Sequence, residues 1–234
     1  MALEMQAIGA TFAPENILIP GLPAVGTTVL WSYLGTDLAH SQNLMPGAPA
    51  FTAVGTPTYA AGYASLTQAN YLNTGLSDDN KTYTILFASR MAGSGTGRPM
   101  MLQDTATNNG ISTSAGNTSM IGQVYGNALS VTLTLTAPTN FKLFGIAYND
   151  SGTRMDIYNL TDNTTLGANG NGTSRTSATA AARLLLGANI FVPATIGTDM
   201  AFCAKINGAA WTQAQCQQAA LNIRAVLATR GITV

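Results

Sequence analysis

The C-terminal segment constrains this chain most. A β-like run from Asp199 to Ile206 leads into an amphipathic helix predicted over Trp211 to Arg230. Thr212 stands at the N-cap, and Gln215 three residues later can return the hydrogen bond, which makes a Thr-x-x-Gln capping box. Trp211, just before the cap, can staple against Cys216. Cys216, Ala219, Ala220, Ile223, Val226 and Leu227 recur at three- and four-residue spacing and share one face, whereas Gln217, Gln218, Asn222 and Arg224 fall largely elsewhere. Arg230 suits the negative end of the helix dipole, and Gly231 suits the stop. A helix specified at both ends must lie on something apolar, and everything before it reads as strand.

The strand signals are short and closely punctuated. Val29 to Leu34, Phe51 to Val54, Tyr59 to Leu66 and Thr82 to Met91 carry β-branched and aromatic residues between Gly, Pro and Asn turns. Met100 to Gln103, Gly110 to Ser114 and Ser119 to Tyr125 follow as brief strands. Leu129 to Thr136 alternates cleanly, with Leu129, Val131, Leu133 and Leu135 predicted inward and Ser130, Thr132, Thr134 and Thr136 outward. Phe141 to Tyr148 and Arg154 to Leu160 flank Asn149-Asp150-Ser151-Gly152, a hairpin signal in which Gly152 can take positive φ. Thr161 to Ser177 reads as a Gly/Asn/Thr-rich loop, and Ala182 to Ala188 as one more strand. So many short strands at this spacing point to a sandwich or barrel.

Composition removes several function classes. Of the 234 residues only 9% are charged and the net charge is +0, so there is no electrostatic footprint for nucleic acid or an anionic membrane. No apolar run is long enough to span a bilayer, and Met1 to Pro20 lacks the pattern of a signal peptide. That segment is expected to be an extended arm whose apolar residues need a partner surface, with residues 21–234 forming one domain. Cys203 and Cys216 read as buried free thiols, not as a disulfide framework or a metal-ligand set. A surface dominated by Thr, Ser, Asn and Gln suits an assembly subunit or an adhesive module more than a free enzyme.

The order of pieces carries a family resemblance. Gly62-Tyr63-Ala64-Ser65-Leu66 is followed by Tyr71-Leu72-Asn73-Thr74-Gly75, then by Phe144-Gly145-Ile146-Ala147-Tyr148 and its hairpin into Met155-Asp156-Ile157-Tyr158. Leu186-Gly187-Ala188-Asn189, Met200 to Ile206 and the helix opening at Trp211-Thr212 close the series. Over roughly residues 50–234 this resembles the laminin-G-like or concanavalin-A-like jelly roll, in particular the lectin-like domains of phage tail and virion proteins. The family's helix usually opens Leu-Thr or Leu-Ser with an acidic residue; Trp211-Thr212 and Gln215 depart from that pattern but keep the capping chemistry. The resemblance implies an all-β, two-sheet antiparallel sandwich with one short C-terminal α-helix.

That family includes glycoside hydrolases, which set paired carboxylates at fixed separation on a core strand. Here the only glutamates, Glu4 and Glu15, lie in the N-terminal segment, and Asp150, Asp156 and Asp199 each read more simply as turn, strand-surface and strand-start residues. His40 lies in a Ser/Asn/Gly loop without a neighbouring Cys, Glu or second His, and the sequence indicates no orienting partner, so it reads as a surface residue. Gly93-Ser94-Gly95-Thr96-Gly97 lacks the Lys-Ser/Thr ending of a phosphate loop. Asp78-Asp79-Asn80, Asn149-Asp150 and Asp162-Asn163 have the oxygen chemistry of calcium ligands, but turns prefer the same residues, so no cofactor is expected and structural calcium is not favoured. Sugar binding needs an aromatic platform with convergent amides or carboxylates. The nearest constellations are Tyr125 with Asn127, and Tyr148 with Asn149 and Asp150.

The expectation is therefore a non-enzymatic structural protein of a phage virion, in the tail, a fibre or the head surface. It would be a homo-oligomer assembled with other virion subunits, with a cell-surface glycan as a further partner. A free carbohydrate-binding module is the alternative, and a glycoside hydrolase the minor one.

Overall fold

The computed structural model describes residues 22–78, 81–103, 110–116, 118–125, 129–136, 139–178, 182–189 and 194–234, with backbone only at 101–103 and 125. The Met1 to Pro20 arm, Asp79, Asn80 and Asn127 thus lie outside the described residues. The strands in chain order are β1 (Thr27–Tyr33), β2 (Thr52–Val54), β3 (Thr58–Tyr59), β4 (Ala64–Leu66), β5 (Tyr71–Asn73), β6 (Tyr83–Met91), β7 (Met100–Gln103) and β8 (Gly110–Ala115). They continue with β9 (Ser119–Tyr125), β10 (Leu129–Thr134), β11 (Lys142–Asn149), β12 (Arg154–Asn159), β13 (Thr164–Asn169), β14 (Leu185–Leu186) and β15 (Thr198–Asn207), followed by helix α1 (Gln213–Thr229).

Among the described residues these strands make two antiparallel sheets. One runs β13-β12-β11-β6-β15-β4-β3, with β1 also on β15, and the other runs β10-β9-β8-β7-β14-β5-β2. β15 is the axis of the first: β6 lies along one side, while the other is shared between β4 at Thr198–Met200 and β1 at Phe202–Asn207. A bulge between Met200 and Phe202 shifts its alternation, so that Ala201 and Phe202 both face the helix side. This is the two-sheet sandwich with a short C-terminal helix that the sequence implied.

Two apolar layers hold the molecule together. Between the sheets, Ile85, Phe87 and Met91 of β6 meet Val124 of β9 and Leu129, Val131 and Leu133 of β10. The β10 alternation is buried and exposed in turn, as expected. On the outer face of the eight-stranded sheet, Leu86, Ala88, Phe202, Ala204 and Ile206 pack with Trp211, Cys216, Ala219, Ala220, Ile223 and Leu227 of the helix region. The predicted helical face is the one buried, except that Val226 is only half-buried. The Thr212–Gln215 capping box is formed. At the other end Gly231, at φ +75°, lets its own N–H reach the Ala228 carbonyl at 3.1 Å and the Ile232 N–H reach Leu227 at 3.0 Å, a Schellman stop. Cys203 and Cys216 are buried and unbridged. Among the described residues no helix is long and apolar enough to cross a membrane.

Three sequence expectations need correction. Tyr59 to Leu66 is not one strand but the hairpin β3–β4, because the chain turns where the Ala60 N–H donates to the Tyr63 carbonyl at 2.9 Å. Thr161 to Ser177 is not all loop, since it contains β13, an edge strand that pairs with β12 along its length and rests Ala168 against the core. Of Ala182 to Ala188 only Leu185–Leu186 is a strand, between β5 and β7; Leu184 adds backbone hydrogen bonds to Thr74 and Leu76, and Gly187 stands at φ +88° just past it.

Candidate functional site

The β11–β12 hairpin presents Asn149, Asp150, Ser151 and Gly152 at one end of the sandwich. The Thr153 N–H donates to the Asp150 carbonyl at 3.1 Å, and the left-handed residue of this turn is Thr153 at φ +44°, not Gly152. A β-branched residue holds that conformation only when its surroundings impose it. Here Thr153 is buried, and its carbonyl accepts from the Gly170 N–H after β13.

Asp150 organises the surrounding loops. Its Oδ1 accepts from the Tyr148 hydroxyl at 3.1 Å and from the Arg175 N–H at 2.9 Å, while its Oδ2 accepts from Ser174 Oγ at 2.5 Å. Its own N–H donates to Thr82 Oγ1 at 3.2 Å, and Lys81 Nζ donates to Ser174 Oγ at 3.0 Å. Beneath this layer Arg175 is fully buried and makes a fork-to-fork pair with Asp78 at 2.5 and 2.6 Å, also donating from Nε to the Lys81 carbonyl at 3.0 Å. Asp78 in turn accepts the Ala178 N–H at 2.8 Å. Three loops that are remote in sequence are thereby fastened to one buried ion pair.

The electrostatics follow from this arrangement. Burial pushes the Asp150 carboxyl upward, but donation from Ser174, the Arg175 N–H and Tyr148, together with nearby Lys81, outweighs it and holds the group below the usual carboxylate range. Tyr148 is pushed up to about 12, chiefly by burial and then by the Asp150 charge. The result is an ionised carboxylate at a loop surface, ringed by exposed Lys81, Asn149, Ser151 and Ser174.

The residues expected from sequence divide accordingly. Asn149 and Asp150 are at this surface. Tyr148 belongs to the cluster only through its hydroxyl, because the ring is buried against Tyr83 with centroids 5.7 Å apart and offers no face to a sugar. The backbone of Tyr125 pairs with Gly110; its side chain, like Asn127, is outside the described residues. Tyr125 nevertheless lies at the same end of the sandwich as Tyr148. Its neighbour pair Ile111–Val124 is one step along the ladder, and Ile111 lines a void of about 10 Å³ shared with Tyr83, Ile146 and Met155.

Lys81, Ser174 and above all Asp78 and Arg175 were not anticipated as members of one site. One signal pointed to Arg175, a lone charge followed by neutral residues in a Gly/Asn/Thr-rich stretch of a chain with only 10 Lys and Arg in all. Three of the described carboxylates considered for calcium or catalysis have donors of their own. Asp162 accepts from Lys142 at 2.8 Å and Asn159 at 2.9 Å, Asp156 from Arg154 at 2.7 Å, and Asp199 from Arg90 at 2.9 Å. Among the described residues no three His, Cys, Asp or Glu side chains converge as metal ligands.

No protein-family model and no curated protein sequence matches the chain. Solved structures do match in fold. The binding domain of Paraclostridial Mosquitocidal Protein 1 aligns with a TM-score of 0.63 at 11% identity, covering 86% of this chain and 52% of that one. The ligand-binding domain of botulinum neurotoxin serotype D, in complex with N-acetylneuraminic acid, aligns with a TM-score of 0.63 at 8% identity over 82% of this chain and 50% of that one. A structure of botulinum neurotoxin type C, which enters cells dependent on interaction with two ganglioside molecules, aligns at 0.59 with 9% identity over 87% and 51%. At such identities the likeness is one of fold. The chain spans about half the length of these structures, so the ligands named belong to larger proteins than the part matched.

Proposed function

We propose that this protein is a non-enzymatic carbohydrate-binding module that takes a glycan at the loop end around Asp150. The observation that carries the reading is the fixed, ionised Asp150 carboxylate, fastened from below through Arg175 and Asp78 and flanked at the surface by Lys81, Asn149 and Ser174. Sugar hydroxyls need acceptors and donors held in place before the ligand arrives, because ordering them on binding costs affinity. Similarity in fold to binding domains, one of them in complex with N-acetylneuraminic acid, supports a recognition role over a catalytic one. A glycan array probed with the intact chain and with Lys81→Ala and Asn149→Ala tests it. Both positions are exposed, so the variants are expected to fold normally and lose binding. Equal binding by all three proteins overturns the site, and no binding by any of them overturns the function.

The phage-particle role is the second reading. It is favoured by a low-charge, Thr- and Asn-rich surface and by Leu221, an apolar side chain 66% exposed on the outer side of α1. Light scattering on the full chain and on one lacking Met1 to Pro20 tests it. An oligomer lost on truncation supports a particle subunit whose arm makes the contacts, and a monomer in both cases counts against it.

A further inference from the structure

The outer face of the eight-stranded sheet carries a second polar constellation, at the end of β6 opposite to Tyr83. Cross-strand register places Ser65 of β4, Asp199 of β15 and Arg90 of β6 in one row across the sheet. Asp199 is nearly buried and fully engaged, accepting Ser65 Oγ at 2.5 Å and Arg90 Nε at 2.9 Å. The Arg90 guanidinium lies 4.9 Å from the Tyr63 ring centroid and 4.7 Å from that of Phe141, and those two rings are themselves 5.4 Å apart. It is therefore held by stacking on one face and by a carboxylate at Nε. Its side chain is still 34% exposed, and among the described residues its terminal Nη groups make no hydrogen bond.

This is a preorganised donor edge with no acceptor among the described residues. Guanidinium presents its donors in a planar fork that matches a carboxylate, and stacking reduces the side-chain entropy lost when that match is made.

We propose that Arg90, stacked on Tyr63 and Phe141 and tied to Asp199, is an anion-recognition site that takes the carboxylate of an acidic saccharide on its Nη edge. Tyr63 and Ser65, both partly exposed, flank that edge, and Tyr63 offers the ring surface that a sugar beside that carboxylate would use. The site lies at the far end of β6 from Asp150 and stands whether or not the loop end binds a glycan.

The test is an NMR titration of the intact chain with glucuronic acid, glucose and inorganic sulfate, following the Arg90 Nε–H and Tyr63 ring resonances. Glucuronic acid is expected to shift both, glucose neither, and sulfate less strongly. Arg90→Lys keeps a cation for Asp199 but loses the fork, and is expected to weaken glucuronic acid binding roughly tenfold. Lys81→Ala is expected to leave it unchanged, which separates this site from the one at Asp150. Absence of a shift at concentrations on the order of 50 mM overturns the proposal without reference to any variant. Undiminished binding by a folded Arg90→Lys also overturns it, and sulfate acting as strongly as glucuronic acid overturns the saccharide assignment.

Discussion

Separating Arg175 from Asp78 is expected to cost far more than the pair contributes when whole. Both side chains are fully excluded from solvent, and the guanidinium spends both Nη groups on one carboxylate at 2.5 and 2.6 Å. In Asp78→Asn the shape is kept, but a cation remains buried without its carboxylate. In Arg175→Met the carboxylate keeps the Ala178 N–H but loses its cation, and the Lys81 carbonyl loses a donor. Each single replacement should destabilise the fold by about 3–5 kcal/mol, the usual cost of leaving one buried charge unpaired. At roughly 2–4 °C per kcal/mol for a chain of this size, the melting temperature should fall by on the order of 10 °C. The double variant Asp78→Asn with Arg175→Met removes both charges. It should lie at least about 2 kcal/mol closer to the parent than the sum of the singles, because no charge is then left buried without a partner. Urea unfolding of the four proteins gives the cycle directly. Additive losses, or single losses below about 1 kcal/mol, would refute the argument that the pair is a coupled anchor. In the singles, glycan binding should weaken too, since the Arg175 N–H is one of the donors that hold Asp150.

Three further outcomes are expected. Thr212→Ala removes the side-chain half of the capping box and should cost about 1 kcal/mol in urea unfolding, whereas Thr212→Ser should be nearly silent. Burial pushes the Cys216 thiol up to about 12 and Cys203 further still, so neither should react with a thiol reagent at about pH 8 until the protein is unfolded, and rapid labelling of the native chain would contradict the packing. The Asp150 carboxyl titrates lower in the folded chain than in the unfolded one, where about 3.9 is usual. Its stabilisation is therefore complete above that unfolded value and is lost as pH falls through the folded one. Urea midpoints measured from about pH 5 down to about pH 2 should accordingly fall less steeply for Asp150→Asn than for the parent, and parallel curves would remove Asp150 from the acid limb.

Local rules made the helix and most strands legible. The Thr212–Gln215 cap, the spacing of Cys216, Ala219, Ala220, Ile223 and Leu227 and the Leu129–Leu135 alternation each involve residues within a turn or two of one another. The sequence pattern therefore contained both the existence of those elements and the side of each that is buried. β13 was hidden because an edge strand exposed on most of its length displays little beyond Leu166 and Ala168, and its extent follows the β12 ladder. The extent of the Leu185–Leu186 strand was likewise set by the neighbours on either side, not by its own residues.

The candidate site divides along the same line. Asn149 and Asp150 could be picked out as a polar turn beside a tyrosine, since that much is a property of adjacent residues. That Tyr148 turns its ring inward onto Tyr83 depends on a contact between β11 and β6, which no local pattern encodes. Arg175 and Asp78 are 97 residues apart, and Arg90 and Asp199 are 109 apart. Arg175, Asp78 and Asp199 are buried, and a buried charge needs a partner, but which one it meets depends on sheet register and loop closure. The chain's own pattern of turns, caps and alternation thus specified a sandwich closed by a helix, while the pairing of its few charges, and with it the location of both polar surfaces, came from bringing distant strands together.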